Sequence, residues 1–174
     1  MKTLPDYLAP DLGILFVGIN PSIPSAQQGH YYANPRNRFW RAFNLAGLAP
    51  EPLWPETDYR VLEFGIGFTD LVKRPSRGVA DLAAGDFREG AAVLQEKLAR
   101  YQPRLVCFQG IMVYQRYLRY TGGQGAKVAL GLQQMPTGAC RHFVAPNPSP
   151  ANAAFSLEAL TDWYHQLKGL RDGS

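Results

Sequence analysis

The chain has 174 residues, of which 46% are hydrophobic, and it carries a formal charge of +4 at neutral pH. This length suffices for one well-buried core and is short for two, so we expect a single domain over residues 1–174. No apolar run reaches the length of a membrane-spanning helix, and the first residues lack the apolar segment of a secretory signal. These absences predict a cytoplasmic protein without a membrane partner.

Short apolar runs alternate along the chain with stretches of helical periodicity. The runs predict strands over residues 13–19, 61–68, 104–109 and 141–146, with a further short strand near residues 127–132. Helical spacing predicts helices over residues 37–47, 86–101, 111–120 and 156–167. Asp86 and Glu89 are predicted to form a capping box for the second of these helices. Strands that alternate with helices favour an α/β fold: a three-layer sandwich whose central, mainly parallel sheet of four to five strands is flanked by helices.

Two Asn-Pro-Ser turns each follow an apolar run of strand character. They occupy residues 20–22 and 147–149. Loops at the carboxyl ends of parallel strands converge at one edge of a sheet, so we expect both turns to face one cleft. Asn supplies a donor and an acceptor, and Pro fixes the backbone behind it, which predicts a rigid polar site. Either Asn could instead serve only its own turn, as an Asx-turn.

The common signatures of nucleotide and metal sites are absent from the sequence. It has no Walker phosphate loop, and no glycine-rich dinucleotide turn follows the first strand. The three histidines lack ligand-like spacing with one another or with the two cysteines, so we expect no metal and no cofactor. Cys107 and Cys140 lie in apolar runs and are predicted to be reduced core residues.

Basic residues cluster after two of the predicted strands. Thirteen of the eighteen are arginines, which suit bidentate contacts to phosphate and so favour a nucleic-acid partner. A solvated helix face with scattered ion pairs is the alternative that composition leaves open. The two clusters are Arg36, Arg38 and Arg41, then Lys73, Arg74 and Arg77.

Several of these parts together suit an extruded nucleobase. Tyr31 and Tyr32 can stack on a planar heterocycle, the amide of Asn20 can bind its edge, and arginines can hold the flanking phosphates. Each residue also has a purely structural explanation. Tyr32 could pack in the core, and Asp70 could cap a helix that begins at Leu71.

Three blocks in the right order closely resemble the mismatch-specific uracil/thymine DNA glycosylases. The first comprises GINPS (residues 18–22) and GHYYANPRNRFW (residues 29–40), the second is FTDLVKRP (residues 68–75), and the third is NPS (residues 147–149). The likeness covers nearly the whole chain. It implies a uracil-DNA glycosylase-like fold and a monofunctional enzyme of base excision repair. Such an enzyme cuts the N-glycosidic bond of uracil and of related damaged pyrimidines, especially in mispairs of uracil with guanine, and leaves an abasic site.

The resemblance also implies roles for individual residues. Asn20 matches the residue whose amide positions the attacking water. Gly18, Ile19, Tyr32 and Asn147 match the base pocket, with Tyr32 as the ring that stacks on the base. Arg36 and Arg38 either brace their loop or touch phosphate. The full set implied to contact DNA is Ser22, Arg36, Arg38, Lys73, Arg74, Ser149, Pro150, Ala151 and Asn152. The implied partner is uracil-containing double-stranded DNA, or single-stranded DNA, bound by a monomer that is nucleoid-associated if the source is bacterial.

The chain departs from that family at two places. At Asp70 the family often carries Lys or Asn; a carboxylate there could accept a proton from water and stabilise the cationic sugar, which would make it a second catalytic group. In the third block, PANA (residues 150–153) stands where the family typically continues with Gly-Leu. In that family the apolar side chain enters the gap that the extruded base leaves in the duplex. Ala151 is small for this role, so the sequence predicts weaker retention on duplex DNA and activity on several uracil contexts, including single strands.

The sequence leaves two alternatives to this interpretation. One is a noncatalytic nucleic-acid-binding module that keeps the fold, against which Asn20 argues. The other is an iron–sulfur uracil glycosylase, which needs four cysteine ligands where the chain has two cysteines.

Overall fold

In the described part of the chain, five short strands form one sheet: Ile14–Gly18 (β1), Ile66–Asp70 (β2), Leu105–Gln109 (β3), Gly131–Leu132 (β4) and Arg141–Ala145 (β5). Their order across the sheet is β2-β1-β3-β5-β4. The computed structural model describes residues 2–134 and 140–173. The strands β1, β2, β3 and β5 run parallel, and β4 pairs antiparallel with β5.

Helices cover both faces of this sheet. They are Ile23–Gln28 (α1), Phe39–Leu45 (α2), Ala84–Tyr101 (α3), Ile111–Arg119 (α4) and Leu157–Gly173 (α5), with 3-10 helices at Pro55–Phe64 and Val79–Asp81. Among the residues described, no helix is both long enough and apolar enough to span a bilayer.

The core lies in two layers because successive strand side chains point to opposite faces of the sheet. In β1, Ile14 and Phe16 pack in the layer that contains α2 and α5, whereas Leu15 and Val17 pack in the layer that contains α3 and α4. Strands that are buried on both faces read as continuous apolar runs, which is why four of them were recognisable in the sequence. The three-layer α/β prediction is confirmed.

The strand predicted over residues 61–68 was wrong in its first half. A 3-10 helix, Pro55–Phe64, occupies that part of the chain, and Gly65 ends it in the left-handed region at φ 70°. The strand starts at Ile66 and extends to Asp70, so Asp70 is the last residue of β2 and does not cap a helix. The strand predicted near residues 127–132 is likewise reduced to Gly131–Leu132.

The predicted capping box of α3 was displaced by three residues. The helix begins at Ala84, and Asp86 lies in its first turn, where its Oδ2 accepts a hydrogen bond of 2.8 Å from the amide of Ala83. Cys107 and Cys140 are both buried thiols, as expected.

The segment that precedes β1 lies along the edge of β2. Tyr7 pairs antiparallel with Phe68 through two backbone hydrogen bonds of 2.9 and 3.0 Å. The approach needs a glycine beside it, since a Cβ on Gly67 would lie 2.3 Å from the carbonyl oxygen of Tyr7. The pairing brings Asp6 to the carboxyl end of β2.

Candidate active site

A cavity of about 380 Å³ opens at the carboxyl ends of the central strands. Such a volume lies within the range of ligand pockets, which is about 300–1,000 Å³. Both Asn-Pro-Ser turns line the cavity, because β1 and β5 flank β3, so the structure brings them together as the sequence predicted. The polar side chains that line it are Asn20, Ser22, Ser25, Tyr31, Tyr32, Asn37, Asp70, Ser76, Arg77, Gln109, Asn147, Ser149 and Asn152.

The side chain of Asn20 is held by the segment that follows β2. Its Nδ2 donates to the carbonyl oxygen of Arg74 and to Ser76 Oγ, each at 2.8 Å. Ser76 Oγ in turn donates to the carbonyl oxygen of Gly78 at 2.8 Å, so it can only accept from Asn20. The network thus fixes the orientation of the amide and commits both of its N–H groups. Oδ1 is the atom left to accept a hydrogen bond from a ligand or water.

Asp70 lies opposite Gly18 on the neighbouring strand, and the two are register partners. A Cβ on Gly18 would lie 2.6 Å from Asp70 Oδ1, so only glycine leaves room for this carboxylate. Asp70 is 6% exposed and lines the cavity. Among the described residues, its Oδ2 has no hydrogen-bond partner.

Burial raises the pKa of Asp70 to about 6, against an ordinary value of 3.8. The Lys73 ammonium, 3.6 Å from Oδ2, lowers it in part, whereas the nearby charge of Asp6 raises it. A carboxylate with such a pKa is mostly ionised at neutral pH and is basic enough to take a proton from an activated water.

Tyr32 forms part of the cavity wall in a left-handed backbone conformation, with φ 54°. Its ring stacks on Phe39, with centroids 4.0 Å apart and an interplanar angle of 20°. Because it is half-buried and borders the cavity, it meets both the packing role and the pocket role that the sequence left open. A tyrosine already stacked in this way is a rigid platform for a planar base.

Buried side chains hold the loop on both sides of Tyr32. The amide of Tyr31 donates to Asp58 Oδ2 at 2.7 Å, and Asp58 is fully buried in the 3-10 helix Pro55–Phe64. The amide of Ala33 donates to Ser25 Oγ at 3.0 Å. These two bonds hold the strained residue between them.

Asn147 uses its side chain differently from Asn20. Its Oδ1 accepts from the amide of Ser149 at 2.9 Å, which is the Asx-turn alternative. Its carbonyl oxygen accepts from Asn152 Nδ2 at 3.0 Å. Asn147 therefore shapes the loop of residues 147–155 while lining the cavity.

Arg38 braces that same loop through hydrogen bonds to its backbone. Its guanidinium donates to the carbonyl oxygens of Asn152 at 2.8 Å and Ser149 at 3.2 Å, and also to that of Phe155. Its own amide donates to the carbonyl oxygen of Pro148 at 3.1 Å. Of the two roles that the sequence offered for Arg38, this geometry favours the brace.

The other residues predicted to contact DNA occupy varied environments. Arg74 pairs with Asp86 at 2.7 Å, and Lys73 is drawn towards Asp6 and Asp70. Ser22 caps α1, and Ser149 Oγ accepts from the amide of Ala151 within its own turn. A second cavity of about 370 Å³, here called the Arg groove, is lined by Pro35, Arg36, Arg38, Arg41, Pro150, Asn152 and Ala153.

Sequence reasoning missed three residues that support the site: Ser25, Asp58 and Ser76. All three are buried polar side chains that bond to the motifs from outside them. Ser76 directly follows the second block, which is the signal that could have found it; Asp58 gave no signal. Within the described parts of the chain, no group of His, Cys, Asp or Glu residues is arranged to hold a metal ion.

The chain belongs to the uracil DNA glycosylase superfamily, whose family model matches residues 5–168. Among solved structures, it is similar to a Methanosarcina acetivorans protein, determined by solution NMR and provisionally named a uracil DNA glycosylase. The two are 26% identical, with a TM-score of 0.61, and the match covers 97% of each chain. This membership supports a DNA glycosylase activity and a DNA substrate.

Proposed function

We propose that the protein is a monofunctional glycosylase of base excision repair that hydrolyses the N-glycosidic bond of uracil, especially opposite guanine, and leaves an abasic site. We propose that it belongs to the mismatch-specific subfamily. We further propose that it acts as a monomer in the cytoplasm, at the nucleoid if the source is bacterial. The observation that carries the proposal is the fixed amide of Asn20, whose free oxygen shares one cavity with the buried carboxylate of Asp70.

Cleavage of the glycosidic bond develops positive charge on the sugar and negative charge on the departing base. A catalyst therefore needs a water held beneath the sugar and an anion close to the developing cation. Asn20 Oδ1 accepts a hydrogen bond from the water and so aims an oxygen lone pair at the sugar carbon. The water oxygen bonds to that carbon as the bond to the base breaks, and Asp70 accepts the proton that the water loses.

The wall of the cavity suits the extruded base, and the Arg groove suits the strand that carries it. Tyr32 offers a pre-stacked ring, and Ile19 and Asn147 also border the space. Arg36 and Arg41 are exposed on the Arg groove beside Pro150, next to the loop in the wedge position. Guanidinium groups there can bind the phosphates that flank the extruded nucleotide.

The test uses end-labelled oligonucleotides that carry one uracil opposite guanine, opposite adenine, or in a single strand. After incubation with the protein, alkali breaks the strand at any abasic site, and the single-turnover rate is measured for each substrate. We expect scission in all three contexts, with the fastest rate opposite guanine. Protein without added alkali should give no scission, because the proposed enzyme is monofunctional.

The outcomes separate the parts of the proposal. Absence of scission on every substrate would contradict the glycosylase activity and favour the noncatalytic DNA-binding module. Equal rates in the three contexts would retain the activity and remove the preference for guanine. Strict dependence on an opposite guanine would contradict the activity in several contexts that the small side chain of Ala151 predicts.

A further inference from the structure

Lys73 directs its ammonium into the protein. Nζ donates to Asp6 Oδ1 at 2.9 Å and to the Tyr31 hydroxyl at 3.2 Å, and it lies 3.6 Å from Asp70 Oδ2. The side chain is 28% exposed, and its three donors face three inward oxygens. This geometry does not suit a phosphate contact, the role that the sequence resemblance implied for Lys73.

Asp6 holds the shorter of the two ion pairs because it is anchored independently. Thr69 Oγ1 donates to Asp6 Oδ1 at 2.7 Å, and Lys97 Nζ lies 2.5 Å from Oδ2. The pairing of Tyr7 with Phe68 fixes the backbone beside it. Asp6 therefore draws Lys73 away from Asp70, whose Oδ2 makes no hydrogen bond to the residues described.

We propose that Lys73 and Asp6 are positioning residues for Asp70: by sharing one ammonium between two carboxylates, they set the pH range in which Asp70 is a proton acceptor. The inference rests on the proposed function, because it assigns regulation of that same site. The other ionisable groups that face Asp70 are Lys97 on α3 and the hydroxyls of Tyr31 and Tyr32.

The two partners are expected to act in opposite directions. Removing the Lys73 charge leaves the buried carboxylate without its nearest cation, which disfavours the ionised form. Removing the Asp6 charge takes away a neighbouring anion and frees Lys73 to bond to Asp70, which favours the ionised form. The directions agree with the effects of both residues on the pKa of Asp70.

The experiment measures the single-turnover excision rate between pH 5 and 9 for Lys73→Met and Asp6→Asn. We expect the acid limb of the profile to move up by about one pH unit or more in Lys73→Met and down by a similar amount in Asp6→Asn. Lys73→Arg keeps the charge and should restore the limb. Lys168→Met and Asp172→Asn, which break an exposed ion pair of 3.1 Å on α5, are the matched controls and should leave the limb in place.

A second readout does not depend on activity. The melting temperature of each variant is followed with pH, with and without Asp70→Asn, so that the difference isolates the titration of Asp70. It should reproduce the same two opposite shifts even if no substrate is cleaved. An inactive protein with those shifts would overturn the proposed function alone.

Shifts in the same direction, or an unmoved limb in both variants, would overturn the positioning role. So would a Lys73→Met variant that loses DNA affinity and salt dependence while its pH profile stays that of the wild type. That last result would show that Lys73 contacts a DNA phosphate, as the sequence resemblance implied.

Discussion

The two Asn-Pro-Ser turns have the same sequence and line the same cavity, yet their asparagine side chains make different hydrogen bonds. Asn20 bonds outward to the segment after β2, through Nδ2, and keeps its oxygen for the cavity. Asn147 bonds within its own turn, through Oδ1, to the amide of Ser149. The first turn therefore presents a chemical group, and the second shapes a loop.

The difference arises from the neighbours of each turn. The first turn lies beside the segment after β2, where the carbonyl of Arg74 and the hydroxyl of Ser76 accept both N–H groups of the amide. The second turn is followed by a loop that Arg38 supports from another element. A tripeptide fixes the local backbone, but the atoms opposite it decide which side-chain atom is left for a substrate.

Alanine substitutions should separate the two turns by the largest margin. Asn20→Ala removes the group that orients the water, and we expect the single-turnover rate to fall by about 10²–10³-fold, the usual loss when one preorganised catalytic hydrogen bond is removed. Asn147→Ala loses one turn hydrogen bond worth about 1 kcal/mol, so its rate should fall by less than about tenfold. Equal losses would refute the division of roles. Melting temperatures serve as the control for folding.

Asp70→Asn tests the carboxylate that shares the cavity with Asn20 of the first turn. It should lower the excision rate by about 10²-fold or more, the scale of a lost general base. Its effect on stability has the opposite sign. The folded-state pKa of about 6 lies above the unfolded value of 3.8, so the protonated form stabilises the fold below about pH 4 and that contribution is lost as the pH rises through 6. The neutral Asn avoids this loss.

The stability effect of Asp70→Asn is therefore expected to depend on pH. At pH 8 the variant should gain up to about 3 kcal/mol relative to the wild type, compared with little at pH 4. Denaturant unfolding at the two pH values measures the difference. Unchanged turnover in both Asp70→Asn and Asp70→Ala would remove the catalytic role, and a stability gain that is the same at both pH values would show that Asp70 does not titrate as described.

Much of the fold was predictable because its strands are buried on both faces. Continuous apolar runs identified β1, β3 and β5, and the apolar spacing within α3 and α5 gave their core-facing sides. The failure at residues 61–68 has a physical cause. Val61 is buried in the 3-10 helix as deeply as Ile66 is in β2, and a short apolar run does not distinguish the two.

The site was predictable only where a residue carries the chemistry itself. Asn20, Asp70 and Tyr32 stand next to recognisable strand ends or within the motif blocks. Asp58 acts through a hydrogen bond that exists only after folding, so the linear pattern gave no reason to choose it. Ser76 adjoins the second block, but its bond to Asn20 also forms only on folding. Lys73 was recognised as a cation but was predicted to contact a DNA phosphate, because its partner Asp6 lies far from it in sequence.

The smallest effects should come from the arginines beside the second turn, and they test whether that turn is a shaped loop. Arg38→Lys keeps the charge but cannot reproduce the bonds of a guanidinium to three carbonyls. We expect faster amide exchange over residues 149–152 and weaker DNA binding, with an unchanged dependence of affinity on salt. Arg36→Gln removes an exposed charge at the Arg groove. It should leave amide exchange unchanged and reduce the slope of log affinity against log salt by about 1, the value for one lost phosphate contact. Hydrogen exchange and salt titrations of binding to a uracil-containing duplex measure both quantities. If Arg38→Lys changed the salt slope and Arg36→Gln loosened the loop, the roles of brace and phosphate contact would have to be exchanged.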